Sequence, residues 1–237
     1  MMSVSEISVY YGKTCAVDRV SLRLLPGEIL GIVGVNGAGK SSLANALAGR
    51  IVPKNGSVSL NDIVITNYAP HQRAQIGLVP EGRVLAPRLS VGETLQLGAG
   101  RVSGSVFRSR LDYVLAIFPE LASRMKQAAG SLSGGEASLL SMARALMKQP
   151  DYLILDEPTL GLSPAATMRV FSIMAQLREQ GMSILMIEQN LEHVIRLADH
   201  IYVMRYGRVT QVETGREDHI LSTVQNALFS NHRSEHV

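Results

Sequence analysis

The sequence predicts an α/β fold: a mainly parallel sheet covered by helices, an antiparallel β portion at the N-terminus, and an inserted α-helical subdomain. Three observations carry this reading. Apolar runs of strand length alternate with helical segments in the last third of the chain. Strand-like runs broken by turn residues fill the first quarter. Between them lies a long stretch with helical periodicity.

Taken in order, residues 3–10, 17–25 and 28–33 read as strands, with Pro26-Gly27 as a turn between the last two. A helix is expected from Lys40 to near Gly49. Residues 56–60 and 63–66 form a hairpin pattern around Asn61-Asp62, and 76–79 is a short apolar strand closed by Pro80. From about 89 to 149, helical spacing dominates, as in Leu111, Val114, Leu115 and Phe118, and again in Leu139, Met142, Ala143 and Leu146. Residues 152–155 return to strand. Residues 164–180 read as a helix with Ser163 at the N-cap, Pro164 in the first position and Gly181 past the end. A strand (183–187), a helix (191–197) and a strand (200–205) complete the alternation that predicts a parallel sheet. One domain is expected, with its β core in 1–88 and 150–230, its helical subdomain in 89–149, and a mobile polar tail over 230–237.

At 237 residues and 46% hydrophobic, the chain can bury one sizeable core. Net charge is +3 and the basic residues are dispersed, which argues against a nucleic-acid partner. The single Cys15 excludes an internal disulfide framework. No run approaches the roughly 18 apolar residues of a membrane span, so a membrane role has to pass through a partner.

Gly34-Val35-Asn36-Gly37-Ala38-Gly39-Lys40-Ser41 follows an apolar strand and opens a helix. In that context the glycines turn backbone N–H groups onto phosphate oxygens, and the helix N-terminus adds its positive dipole end. Asn36, Gly37, Ala38, Gly39, Lys40, Ser41 and Ser42 are therefore the candidate ATP-binding residues, with Lys40 on the β- and γ-phosphates and the Ser41 hydroxyl on Mg²⁺. This loop alone signals a nucleoside triphosphate; kinases and GTPases share it. Leu153-Ile154-Leu155-Asp156-Glu157 puts two acids at the carboxyl end of a buried strand, where ligands bind in open α/β sheets. Asp156 is read as a Mg²⁺ ligand and Glu157 as the group that polarises the attacking water.

Ser131-Leu132-Ser133-Gly134-Gly135-Glu136 precedes an amphipathic helix, and Ser133, Gly134 and Gly135 form an anion-accepting turn at its start. With this string, the chain resembles the ABC ATPase family over nearly its whole length. Leu-Ser-Gly-Gly-Glu is that family's signature, absent from kinases and GTPases. The resemblance implies a head-to-tail dimer in which the signature of one subunit closes on ATP held by the other. It also implies that Tyr11 stacks on adenine. Glu81 occupies the place of a glutamine that touches Mg²⁺ and water. Gln189 occupies the place of a histidine, and Leu160-Gly161-Leu162-Ser163 replaces a loop that ends in Asp.

Val79-Pro80-Glu81-Gly82-Arg83, Pro87-Arg88-Leu89-Ser90-Val91, Asp156-Glu157-Pro158-Thr159-Leu160-Gly161-Leu162 and Glu188-Gln189-Asn190 are together similar to the LivF-type subunit of branched-chain amino acid importers, whose relatives serve urea or amides. That resemblance implies pairing with a second ABC ATPase, identical or different, beneath integral-membrane permeases on the cytoplasmic face. A periplasmic or extracellular solute-binding protein would deliver the substrate. Ala137-Ser138 stand where glutamines are usual and are expected to matter little, because the glycines carry the phosphate contact. Ala86 replaces an aromatic in the segment that faces the permease, which leaves the solute open. Gln189 hydrogen-bonds but cannot become cationic. Two functional readings follow, a hydrolysing transport subunit and a regulatory ATP-binding partner with little hydrolysis of its own.

Overall fold

The computed structural model describes residues 1–212; the expected tail over 230–237 lies outside them. The N-terminal hairpin pairs β1 (Met2–Tyr11) with β2 (Thr14–Leu24), and β1 also pairs with β4 (Asn55–Leu60), which turns into the two-residue β5 (Ile63–Val64). These four make an antiparallel sheet in the order β2-β1-β4-β5. Asn61 and Asp62 both take positive φ, the geometry of the tight hairpin turn that asparagine and aspartate favour. The predicted strand to residue 66 stops early because the Thr66 hydroxyl accepts from the Val58 N–H at 2.9 Å.

The second sheet runs β10-β9-β3-β8-β7-β6. Strands β3 (Ile29–Val33), β6 (Ile76–Val79), β7 (Tyr152–Asp156), β8 (Ser183–Glu188) and β9 (His200–Arg205) pair in parallel. Every residue of β3, β7 and β8 is buried, as strands covered on both faces require. The antiparallel edge strand β10 (Arg208–Val212) is an addition to the sequence reading; its alternating, mostly exposed residues carry no strong apolar run.

One face of this sheet, the antiparallel sheet and α1 (Lys40–Leu47) enclose one core. The other face packs against the helical block and α6 (Pro164–Glu179). Within the block lie α2 (Val91–Ala99), α3 (Gly104–Ile117), α4 (Pro119–Ala122) and α5 (Gly134–Leu146), with Phe118 fully buried among them. The helix α7 (Leu191–Leu197) crosses β3 so closely that a Cβ at Gly31 would stand 2.2 Å from Val194 Cγ1. Arg73, buried, holds the C-terminal end of α1: its guanidinium donates to the carbonyls of Ala46 and Leu47 at 3.0 and 2.6 Å and to Thr66 at 2.7 Å. A cation there satisfies orphan carbonyls and complements the helix dipole.

Candidate functional site

The segments that follow β3, β6 and β7, with the start of α1, line a cavity of about 210 Å³ that holds Asn36, Gly37, Gly39, Lys40, Ser41, Ser42, Glu81 and Glu157. Gly39 caps α1 with φ +106, and a Cβ there would lie 2.1 Å from the carbonyl oxygen of Ala16. Glycine is thus required both by conformation and by the approach of β2. Ala38 is buried behind the loop. Ala16 lines the same cavity, at the register shift between the Val9↔Val17 and Tyr10↔Cys15 pairs, and nothing in its sequence context marks it.

Lys40 is buried, and its Nζ donates to the carbonyls of Gly34 and Val35 at 2.8 and 3.2 Å. The same ammonium lies 3.3 Å from Glu157 Oε1. Gln189 donates from Nε2 to both carboxylate oxygens of Glu157 at 2.8 Å. Glu157 is thus gripped between the phosphate-loop lysine and the glutamine that follows β8. Its backbone has φ +50, a left-handed conformation costing about 1–2 kcal/mol for a residue with a side chain. Strain of this kind persists only where neighbours over-determine it.

Asp156, beside it, is buried, and its Oδ1 has no hydrogen-bond partner. Burial pushes its carboxyl above the usual range; the Ser41 hydroxyl opposes this, and the charges of Glu157 and Glu81 add to it. An orphaned, desolvated carboxylate oxygen next to a hydroxyl suits a hard cation with oxygen ligands. Among the described residues no group of three or more His, Cys, Asp or Glu side chains can hold a metal.

Two predicted groups stand apart from this cavity. Tyr11, at the end of β1, is 53% exposed and does not line it. Ser133, Gly134, Gly135 and Glu136 do not line it either. Ser133 caps α5, accepting from the Glu136 N–H at 3.3 Å, while Glu136 accepts from the Ser133 N–H at 2.9 Å and pairs with Arg124 at 2.6 Å. A Cβ at Gly134 would lie 3.1 Å from Arg83 Nη1, and the Arg83 guanidinium also donates to the carbonyl of Leu160. Ser138, fully buried in α5, donates to the carbonyl of Pro158 at 3.0 Å. That bond ties the signature helix to the loop carrying Glu157, a link the sequence reading did not assign.

Residues 17–160 match the family model described as ABC transporter. A high-affinity branched-chain amino acid transport ATP-binding protein of Pseudomonas aeruginosa, BraG, is 40% identical, covering 91% of this chain and 93% of its own. The chain belongs to the ABC transporter ATP-binding family. A probable branched-chain amino acid transport ATP-binding protein, LivF, of Archaeoglobus fulgidus is 34% identical over 92% of this chain and 93% of its own. Among solved structures, a nucleotide-free ATP-binding cassette from an ABC transporter superposes with TM-score 0.84 at 27% identity, covering 95% of each chain. The ADP conformation of an ABC transporter cassette gives TM-score 0.83 at 26% identity over the same shares. The chain is thus an ABC-type ATPase subunit of a transporter.

Proposed function

We propose that this cassette drives an importer of branched-chain amino acids by hydrolysing ATP, and that Glu157 is the group that acts on water. The observation carrying the chemistry is the Glu157 carboxylate held between Lys40 and Gln189 at the mouth of the phosphate loop. Incoming phosphate oxygens compete for the Lys40 ammonium, which releases one side of the carboxylate toward the γ-phosphate. Asn36, Gly37, Ala38, Gly39 and Ser42 cradle the phosphates, and Tyr11 offers an exposed ring to adenine. Ser41 and Asp156, with Glu81 beside them, would hold Mg²⁺, which when bound would supply charge neutralisation to the phosphates. Ser133, Gly134, Gly135 and Glu136 act in trans on the nucleotide of a second ABC ATPase, identical or different.

The solute class is supported by the likeness to the two branched-chain amino acid relatives; uptake of urea or an amide is the alternative within the same type. Among the described residues no helix is long and apolar enough to cross a membrane. The reading places the subunit at the cytoplasmic face, held there by integral-membrane permeases that a solute-binding protein supplies. A surface groove of about 320 Å³ between α1, β6, α2 and α5 fits this docking role. It exposes Val84 and Leu97, is flanked by Arg50, Arg144 and Lys148, and has no acid in its lining. An acidic and apolar permease segment complements it.

The competing reading, a regulatory partner with little hydrolysis, draws on Gln189, which commits its amide nitrogen to Glu157. Glu157→Gln separates the two. In the assembled complex we expect turnover to fall by at least about a hundredfold, the usual contribution of a general base, with ATP binding retained. Unchanged turnover would favour the regulatory role.

A further inference from the structure

Glu188, the last residue of β8, is buried, yet the chemistry above gives it no part. Its Oε1 accepts from the Thr159 hydroxyl at 2.6 Å and the Thr159 N–H at 3.2 Å. Thr159 lies two residues after Glu157, and Glu188 lies one residue before Gln189. These bonds are not needed to build the sheet, because β7 and β8 already pair from Tyr152↔Ser183 to Asp156↔Ile187. They begin where that ladder ends. The Glu157 N–H to the Ile187 carbonyl at 2.9 Å and the Gln189 amide to the Glu157 carboxylate continue the same stitching. Two acidic side chains on adjacent strand ends are thereby held close, although their charges repel.

The Thr159 hydroxyl has one hydrogen, and the Glu188 oxygen it faces also takes the Thr159 N–H and so acts as the acceptor. That hydrogen therefore goes to Glu188. His193 Nδ1, 3.1 Å from the same oxygen, is then the donor to its lone pair. The imidazole is fixed by an edge-on contact with Phe171, 5.1 Å between centroids at 79°.

We infer that Thr159 and Glu188 are positioning residues for hydrolysis. Thr159 pins the loop bearing Glu157 to the strand end bearing Gln189, and His193 sets the direction of its hydroxyl. The inference rests on Glu157 acting on water as proposed above. Without the clamp, the strained φ of Glu157 relaxes and the carboxylate leaves the line set by Lys40 and Gln189. A misplacement of about 1 Å in such a group costs about a hundredfold in rate.

The test uses the full chain in its complex, with ATPase turnover, equilibrium ATP binding and thermal unfolding measured side by side. Thr159→Val removes the hydroxyl while keeping the shape. We expect kcat to fall by about ten- to a hundredfold while KM for ATP moves by less than about twofold. Thr159→Ser should recover to within about threefold of the wild type. Glu188→Gln should lower kcat as well, and the double variant should cost no more than the worse single one, as partners in one contact do. Wild-type kcat in Thr159→Val, a loss that serine does not restore, or fully additive losses would each overturn the inference. Should Thr159→Val not fold, His193→Phe leaves Thr159 and Glu188 in place. A drop of about threefold in its kcat then supports the relay, and an unchanged kcat overturns it. Full activity in Glu157→Gln would strike the underlying reading instead of the clamp.

Discussion

Gln189 donates through one amide nitrogen to both oxygens of Glu157, the proposed base, and so holds that carboxylate from the position where the family resemblance implies a histidine. A histidine has a nitrogen on each side of its ring and can hold the base while a second N–H faces phosphate. The amide directs its hydrogens to one partner. Gln189→His is therefore expected to leave turnover unchanged or to raise it, by as much as about a hundredfold, the worth of one transition-state donor. Steady-state ATPase rates in the assembled complex decide this, and a sharp loss in the histidine variant would refute the idea that glutamine at this position weakens hydrolysis. Lys40, Asp156, Glu157 and Gln189 were legible as single residues because each sits in a short string whose spacing has a chemical reason. The Lys40–Glu157 contact was not legible, because 117 positions separate the partners and only strand order brings them together.

At the scale of elements, α5 does more than present the signature turn. Ser138 crosses from its buried face to the Pro158 carbonyl, although its position beside the signature was expected to matter little. Ser138→Ala leaves a buried carbonyl without its donor, at about 1 kcal/mol. For a chain of this size that lowers Tm by about 2–4 °C. We expect that shift in thermal unfolding, together with a modest fall in turnover; an unchanged Tm would remove the link. The parallel strands were legible to within a residue or so, since continuous apolar runs between turn residues leave little freedom. The helix after the phosphate loop and the capped α6 were legible for a similar reason, their N-terminal signals being local. By contrast, β5 is shorter than expected and β10 went unread: Ile63 and Val64 are exposed, and β10 is an edge strand. Composition there reflects hydrogen bonding more than burial.

At the scale of the molecule, the two sheets set the Lys40 cavity on one flank of α1, and the helical block sets the Val84–Leu97 groove on another. The proposed permease contact joins apolar surface to a ring of cations, so both parts should register in binding. Leu97→Asp puts a charge at the centre of the apolar patch, where the side chain is 66% exposed and contributes little to the fold. We expect co-purification with the permease to be lost while ATP affinity of the subunit stays within about twofold, since an interface centre carries most of the binding free energy. Intact complex formation by this variant would move the docking surface elsewhere.

The sequence by itself determined the local patterns: a glycine-rich loop between a strand and a helix, two acids at a strand end, and a glycine turn at the start of a helix. Each is a local pattern whose function depends on neighbours a few residues away. Only the tertiary structure decided which of these meet. Strand order brings Lys40 and Gln189 onto Glu157, and the Thr159–Glu188 clamp closes where the β7–β8 ladder stops. The signature turn is held on α5, away from that cavity. The physical reason is that hydrogen bonds and charges act over a few ångströms in space, whatever their separation along the chain.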